Sequence, residues 1–264
     1  MIGIIGCGNM GEAILKGIIG SGYNPKDIYA YDHSKEKILN INSHVNICNN
    51  EKEVVNKSKY IFLAVKPIAY DKLLNNIKDL VANDKVIISM AAGYDIEKIE
   101  EKLGNKAKVI RIMPNTPSLI GEGYTVVVLN ENIDKVEGEY VINLLKSLGE
   151  VKIINESQIN AYSAITGSGP AFAFLFIEAM ADAAVLLGIP RKDAYEAAAR
   201  MLIGSSKLLI ETGKHPGELK DMVTSPAGTT IEGIRTLEEK GFRSAVIECV
   251  INTYKKNLNL KNIR

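Results

Sequence analysis

Two stretches of this sequence combine residue types that can grip an anion through backbone amides. The first is "GCGNMG", Gly6 to Gly11, directly after the apolar run Ile2–Ile5. Gly6 permits a tight turn, Gly8 lets backbone approach a pyrophosphate, and Gly11 allows a helix to pack closely on the preceding strand. Cys7, Asn9 and Met10 fill the remaining positions, and their N–H groups lie where a helix opens, which stabilises bound phosphate. The second stretch is "TSPAGTTIEG", Thr224 to Gly233. Thr224 or Ser225 can cap or hydrogen-bond, Pro226 fixes a turn, and Ala227 and Gly228 keep side chains out of the way. Thr229, Thr230 and the amides of a new helix then form a receptor for a compact carboxylate, with no lysine or arginine required. A third stretch, "ITGSGPAFAF", sets Gly167, Ser168 and Gly169 ahead of Pro170. It reads either as a seat for a small anion or as a glycine-rich linker leading into a helix.

The first stretch predicts a dinucleotide cofactor, and three later strand ends extend that site. Asp32 falls about twenty residues past the glycines, where a carboxylate accepts hydrogen bonds from an adenosine ribose and favours NADH. His33, Ser34 and Lys35 follow it and could instead meet a 2′-phosphate, as NADPH requires. "AVKP", Ala64, Val65, Lys66 and Pro67, closes a later strand, with Pro67 holding Lys66 extended. "SMAAG" ends the next with small residues, Ala92 and Gly93 last, and "RIMPNTP" follows with Asn115 and Thr116 as polar edges. In open parallel sheets the carboxyl edge is where ligands sit.

A dinucleotide implies hydride transfer, yet the second half offers no His/Asp pair of the kind that deprotonates an alcohol. His215 lies in "KHPG" and reads as a turn residue; Glu218 and Asp221 sit on a short charged helix. Reducing a carbon–nitrogen double bond that arrives protonated needs no strong acid, because the substrate carries the charge that draws hydride. A hydroxyl such as that of Thr230 then has only to orient the nitrogen, and positioning supplies most of the assistance. Alcohol-oxidising dehydrogenases of the 3-hydroxyacid or 6-phosphogluconate type need a lysine in the second domain's first long helix, and Ala171–Leu187 contains none. A non-catalytic nucleotide sensor could keep "GCGNMG" without "TSPAGTTIEG"; this chain has both.

These residues must be positioned by two kinds of architecture. The first half alternates short apolar runs (Ile2–Ile5, Ile28–Tyr31, Val45–Cys48, Tyr60–Val65, Val86–Ser89, Lys108–Ile112, Thr125–Leu129, Val151–Ile154) with helical patterns at Glu12–Ile19, Tyr70–Leu80, Asp95–Leu103 and Lys135–Leu148. That rhythm predicts an α/β Rossmann-type domain, a mainly parallel sheet covered on both faces, over residues 1–155. From 156 to 264 only helical patterns remain: Ala171–Leu187, Arg191–Thr212, Gly228–Glu239 and Arg243–Leu258. They predict an all-helical domain whose apolar and small-residue faces exceed what it can bury alone, so a second copy is expected to cover them.

The bulk properties agree with a globular enzyme. The 264 residues carry a net charge of +1, which argues against a nucleic-acid partner. Glu178 and Asp182 interrupt the most apolar stretch, "PAFAFLFIEAMADAAVLLGI", so it is read as a buried helix rather than a membrane span. Cys7, Cys48 and Cys249 have neither disulfide parity nor metal-ligand spacing, so no metal site is expected and the cytoplasm is the default compartment.

In these same motifs the chain resembles the pyrroline-5-carboxylate reductases. "IIGCGNMGEAI", "FLAVKP", "SMAAG" and "RIMPNTP" are similar to that family's first domain, and "ITGSGPAFAF", "HPGELKDMVTSPAGTTIEG" and "LEEKGFRSAV" to its second. The resemblance spans essentially the whole chain. It implies reduction of L-1-pyrroline-5-carboxylate to L-proline with NADPH or NADH, the last step of proline biosynthesis, in cytoplasmic homodimers that also assemble as decamers. It implies cofactor contacts at Gly6 to Gly11, Ser34, Ala64 to Pro67 and the Ala92–Gly93 turn. It implies substrate contacts at Glu156, Ser225, Gly228, Thr229 and Thr230, the last touching the imine nitrogen. Two departures stand out: many relatives carry Asn-Arg in place of Asp32-His33, and several carry asparagine in place of Met222.

Overall fold

The computed structural model describes residues 1–260. Its strands are β1 (Ile2–Ile5), β2 (Ile28–Tyr31), β3 (Asn46–Ile47), β4 (Tyr60–Leu63), β5 (Val86–Ser89), β6 (Lys108–Met113), β7 (Gly123–Leu129) and β8 (Gly149–Ile153). They form one sheet in the order β3-β2-β1-β4-β5-β6-β7-β8. Pairing is parallel throughout except between β6 and β7. The strand order reverses direction at β1, so a crevice opens between the ends of β1 and β4, where such sheets take their ligands. β1, β4 and β5 are buried at every position, as parallel strands covered by helices on both faces must be.

The covering helices are α1 (Asn9–Gly20), α2 (Lys35–Ile41), α3 (Glu51–Lys57), α4 (Tyr70–Ile77), α5 (Ile96–Leu103) and α6 (Lys135–Leu145). One apolar cluster packs Ile14, Leu15, Ile18, Val141 and Leu145 against Ile2, Ile4 and Phe62. The opposite face packs Val54, Leu74, Ile77 and Ile99 against Ile5, Ile61 and Ile87. After β8 come α7 (Ile159–Tyr162), a π-helical turn at Ser163–Gly167, and then α8 (Gly169–Leu186), α9 (Arg191–Thr212), α10 (Pro216–Met222), α11 (Thr229–Glu239) and α12 (Phe242–Leu260). Pro190 caps the start of α9 and Gly213, at φ 61°, ends it, the proline-in, glycine-out pattern the sequence carries.

The chain divides into two compact units: Met1–Pro170 together with the chain from Thr253, and Ala171–Asn252. The second unit buries only Ala181, Ala194 and Ala198. Its large apolar side chains are open: Phe174 is 65% exposed, Leu186 88% and Ile210 79%. The expectation of a buried helix over "PAFAFLFIEAMADAAVLLGI" is therefore not met within a single chain. Glu156–Leu186 is long and apolar enough, by composition, to cross a membrane. Short alanines keep the helices close but give each too little bulk to cover its neighbours.

Candidate active site

At the end of β1 the chain turns through Gly6, at φ +95°, and enters α1 with Gly8 as the residue before its first turn. The Gly6 amide donates to the carbonyl of Tyr31 (2.8 Å), and the Ala64 amide donates to the carbonyl of Ile5 (2.8 Å). A methyl group on Gly6 would lie 2.7 Å from the Ala64 carbonyl oxygen, and one on Gly11 only 2.0 Å from the Gly6 carbonyl oxygen. The three strand ends are thus pressed together with glycine as the only residue that fits. Gly8 is different: a methyl there would meet no protein atom within 4 Å. That is a cradle open on its outer side, with the first amides of α1 unpaired along it, and it fits the pyrophosphate of a dinucleotide.

Asp32 sits at the rim of this cradle and is already engaged. Its Oδ2 accepts from the Cys7 amide (2.8 Å) and its Oδ1 from the Ser34 amide (2.9 Å), and Lys37 Nζ lies 3.4 Å away. Burial alone would raise this carboxyl; the Ser34 and Cys7 amides and Lys37 outweigh it and hold it below its ordinary value. The carboxylate therefore buckles the glycine turn to the start of α2. A groove beside it is lined by Gly6, Tyr31, His33, Val65 and Lys72. Tyr31 and His33 meet edge to face, with the Tyr31 hydroxyl 3.2 Å from His33 Nδ1. Ser34 stands half-buried at the start of α2 and caps nothing with its hydroxyl.

Cys7 lies inside the glycine turn but offers no reactive thiol. It is 2% exposed, and burial, with Asp32 adding to it, pushes its thiol up to about 12. Since only the thiolate is nucleophilic, the folded protein should resist iodoacetamide at Cys7 at pH 8, while the denatured chain labels there readily. Peptide mass mapping checks this, and equal labelling in both states would contradict the buried geometry.

Along the next strand ends, Lys66 and Pro67 are exposed after β4, and Ala92 and Gly93 form the turn after β5, with Gly93 buried at φ +78°. Asn115, expected to offer a polar edge, spends its amide inside the fold: Oδ1 accepts from the Tyr124 amide and Nδ2 donates to the Thr166 carbonyl, both 2.9 Å. Glu156 likewise turns its carboxylate inward, accepting from Arg111 Nη1 at 2.5 Å and from the Ile96 amide at 3.3 Å.

In the second unit, α11 opens at Thr229 with Gly228 before it. Thr224, expected as a cap, instead donates its hydroxyl back to the Lys220 carbonyl (2.6 Å) and closes the end of α10. Ala227, at φ 58°, is the non-glycine residue held in the left-handed region among the described residues, a strained setting of the kind that clusters at binding sites. Ser225, Thr229 and Thr230 are exposed, and their hydroxyls bond to nothing among the described residues. His215 is a helix cap, its Nδ1 accepting from the Gly217 amide at 3.0 Å, which occupies the lone pair a base would need. Lys220 pairs with Asp221 on the surface. Among the described residues, no cluster of three or more His, Cys, Asp and Glu side chains is arranged to hold a metal ion.

Comparison with known proteins decides what this arrangement belongs to. Residues 156–260 match the family described as pyrroline-5-carboxylate reductase dimerisation, and residues 1–93 that described as NADP oxidoreductase coenzyme F420-dependent. The chain is 45% identical over 262 residues to the pyrroline-5-carboxylate reductase of Escherichia coli (strain K12), covering 98% of this chain and 97% of that one. The chain belongs to the pyrroline-5-carboxylate reductase family. Among solved structures, the Plasmodium falciparum pyrroline carboxylate reductase with NADP bound superposes with a TM-score of 0.91 at 31% identity, covering 98% of this chain and 97% of that one. The Coxiella burnetii pyrroline-5-carboxylate reductase gives the same score, identity and coverage. This reductase is accordingly an NAD(P)H-dependent oxidoreductase, with the Rossmann-type sheet followed by helices that its family shares.

Proposed function

We propose that this reductase converts L-1-pyrroline-5-carboxylate to L-proline, the last step of proline biosynthesis, using NADPH or NADH. The observation that carries this reading is the start of α11, where three small exposed hydroxyls lie at the helix's opening turn and no basic side chain stands in that turn. Ser225, Gly228, Thr229 and Thr230 bind the carboxylate and ring of a cyclic imino acid. Thr230 keeps its hydroxyl on the ring nitrogen as the protonated C=N becomes an amine, so no protein acid has to act. Gly6, Cys7, Gly8, Asn9, Met10 and Gly11 hold the pyrophosphate of the cofactor, with Asp32 and Ser34 at its adenosine end. Ala64 to Pro67 and the Ala92–Gly93 turn border the rest. When bound, the nicotinamide supplies the hydride that the C=N carbon receives.

The open apolar faces of α8, α9 and α12 are covered in this reading by a second copy, giving a homodimer that can assemble further into decamers. Cys7, Cys48 and Cys249 form no disulfide among the described residues, which suits a reducing cytoplasm. The assay is loss of reduced-nicotinamide absorbance with pyrroline-5-carboxylate as substrate, and its gain with 3-hydroxyacids and the oxidised cofactor as the control. Turnover with the imino acid and none with the hydroxyacids is expected; the converse would overturn the reading.

A further inference from the structure

The turn Met90–Asp95 between β5 and α5 is pinned at both ends by side chains from elsewhere in the chain. At its entrance, Tyr70 is fully buried at the start of α4. Its hydroxyl donates to the Leu63 carbonyl (2.7 Å) and accepts from Ser89 Oγ (3.2 Å) and the Met90 amide (3.3 Å). Leu63 is the last residue of β4, directly before Ala64, and Met90 directly precedes Ala91. One oxygen atom therefore sets the spacing of the two strand ends. At the exit, Glu156 Oε1 accepts from the Ile96 amide and from Arg111, whose side chain is 1% exposed on β6.

This second pin is costly. Arg111 Nε and Nη2 and Glu156 Oε2 are buried and find no hydrogen-bond partner among the described residues. A half-satisfied ion pair is a poor way to fill space, since an apolar pair of similar volume stabilises at least as well. Glu137, a buried carboxylate of this unit, shows the contrast: Lys59 (3.0 Å) and Lys108 (2.7 Å) take one oxygen each. Local rules broken without structural gain point to function.

We propose that Tyr70 and Glu156, the latter with Arg111, are positioning residues that hold the Ala91–Gly93 turn in the shape that meets the cofactor. The inference rests on the reading above that Ala92 and Gly93 border the nicotinamide cofactor. Each acts by fixing a backbone amide at one end of the turn. Burial pushes the Tyr70 hydroxyl up to about 12, so it remains a donor to Leu63 throughout the working range.

The test compares Tyr70→Phe, Glu156→Gln and Gly93→Ala with the intact enzyme. Cofactor Kd is read from nicotinamide fluorescence, kcat and the imino-acid KM at saturating cofactor, and Tm from thermal unfolding. Tyr70→Phe keeps the ring and is expected to raise cofactor Kd about 5–10-fold with kcat within about twofold, and Glu156→Gln, which keeps one acceptor oxygen, is expected to raise cofactor Kd by about the same factor. Gly93→Ala, which strains a φ of +78° inside the turn itself, reports on the underlying reading. If Gly93→Ala weakens cofactor binding and the other two do not, the positioning role is wrong and the cofactor reading stands. If Gly93→Ala leaves Kd unchanged, the turn does not meet the cofactor and both fall. A lowered Tm with kcat and both affinities reduced in proportion marks a merely structural role and also overturns the proposal. Should Glu156→Gln fail to fold, because it leaves Arg111 charged and unpaired, Tyr70→Phe decides the matter by the same criteria.

Discussion

Replacing Thr230 with alanine is expected to lower kcat/KM for pyrroline-5-carboxylate about 100-fold, the usual cost of removing one preorganised hydrogen-bonding group, while nicotinamide affinity stays unchanged. The hydroxyl is exposed, lies in the first turn of α11 and bonds to nothing among the described residues. Its loss therefore removes no internal contact, and Tm should stay within about a degree, as for surface changes in general. A hydroxyl that orients the imine nitrogen strengthens its bond as the nitrogen changes from iminium to amine, so its removal reaches the transition state more than the ground state. The loss should then appear in kcat and kcat/KM together. Thr230→Ser retains the oxygen and should recover most of the rate. Steady-state kinetics with both variants check this; an alanine variant at full kcat/KM would remove Thr230 from the mechanism.

The reach of the sequence was set by how much each element states locally. β1, β4 and β5 were legible because burial on both faces demands unbroken apolar runs, and their predicted limits match within two residues. α2 and α3 escaped notice. Each spans seven residues and buries only Ile38, or Val54 and Val55, too few positions for a helical period to emerge from "HSKEKILNINS" or "NEKEVVNKS". The glycine turn was legible because the demand for small residues is written into its spacing. What Asp32 does there was not, because its partner is the Cys7 amide, 25 residues away, and no side-chain pattern records a backbone donor. Tyr70 was hidden for the opposite reason: an aromatic on the apolar face of α4 reads as core, and only coordinates show its hydroxyl at the junction of two strand ends. The open face of the second unit was legible as an excess of apolar residues over what its helices can cover.

Within the glycine turn, Gly8→Ala and Gly11→Ala should fail in different ways, and the contrast tests the cofactor site without knowledge of the substrate. At Gly11 helix propensity alone would favour alanine by about 1 kcal/mol. The added methyl would lie 2.0 Å from the Gly6 carbonyl oxygen and 3.3 Å from Ala64 Cβ. The first of these is backbone, locked by the Gly6 amide's bond to Tyr31, so it cannot swing aside. The clash should dominate and cost about 1–3 kcal/mol, the range for overpacked cores, seen as a Tm lower by several degrees. At Gly8 the methyl meets no protein atom within 4 Å, so the stability cost is only that of alanine as a poorer N-cap than glycine, about 1 kcal/mol or less. Tm should fall less than for Gly11→Ala, but the methyl occupies the space where a pyrophosphate must approach the backbone, so cofactor Kd should rise on the order of 100-fold, about 2.7 kcal/mol. Thermal unfolding alongside fluorescence titration separates the two effects. A Gly8→Ala protein that binds NADPH and NADH as tightly as the parent would show that the dinucleotide does not lie in this turn, because the added methyl faces only the open side of the cradle.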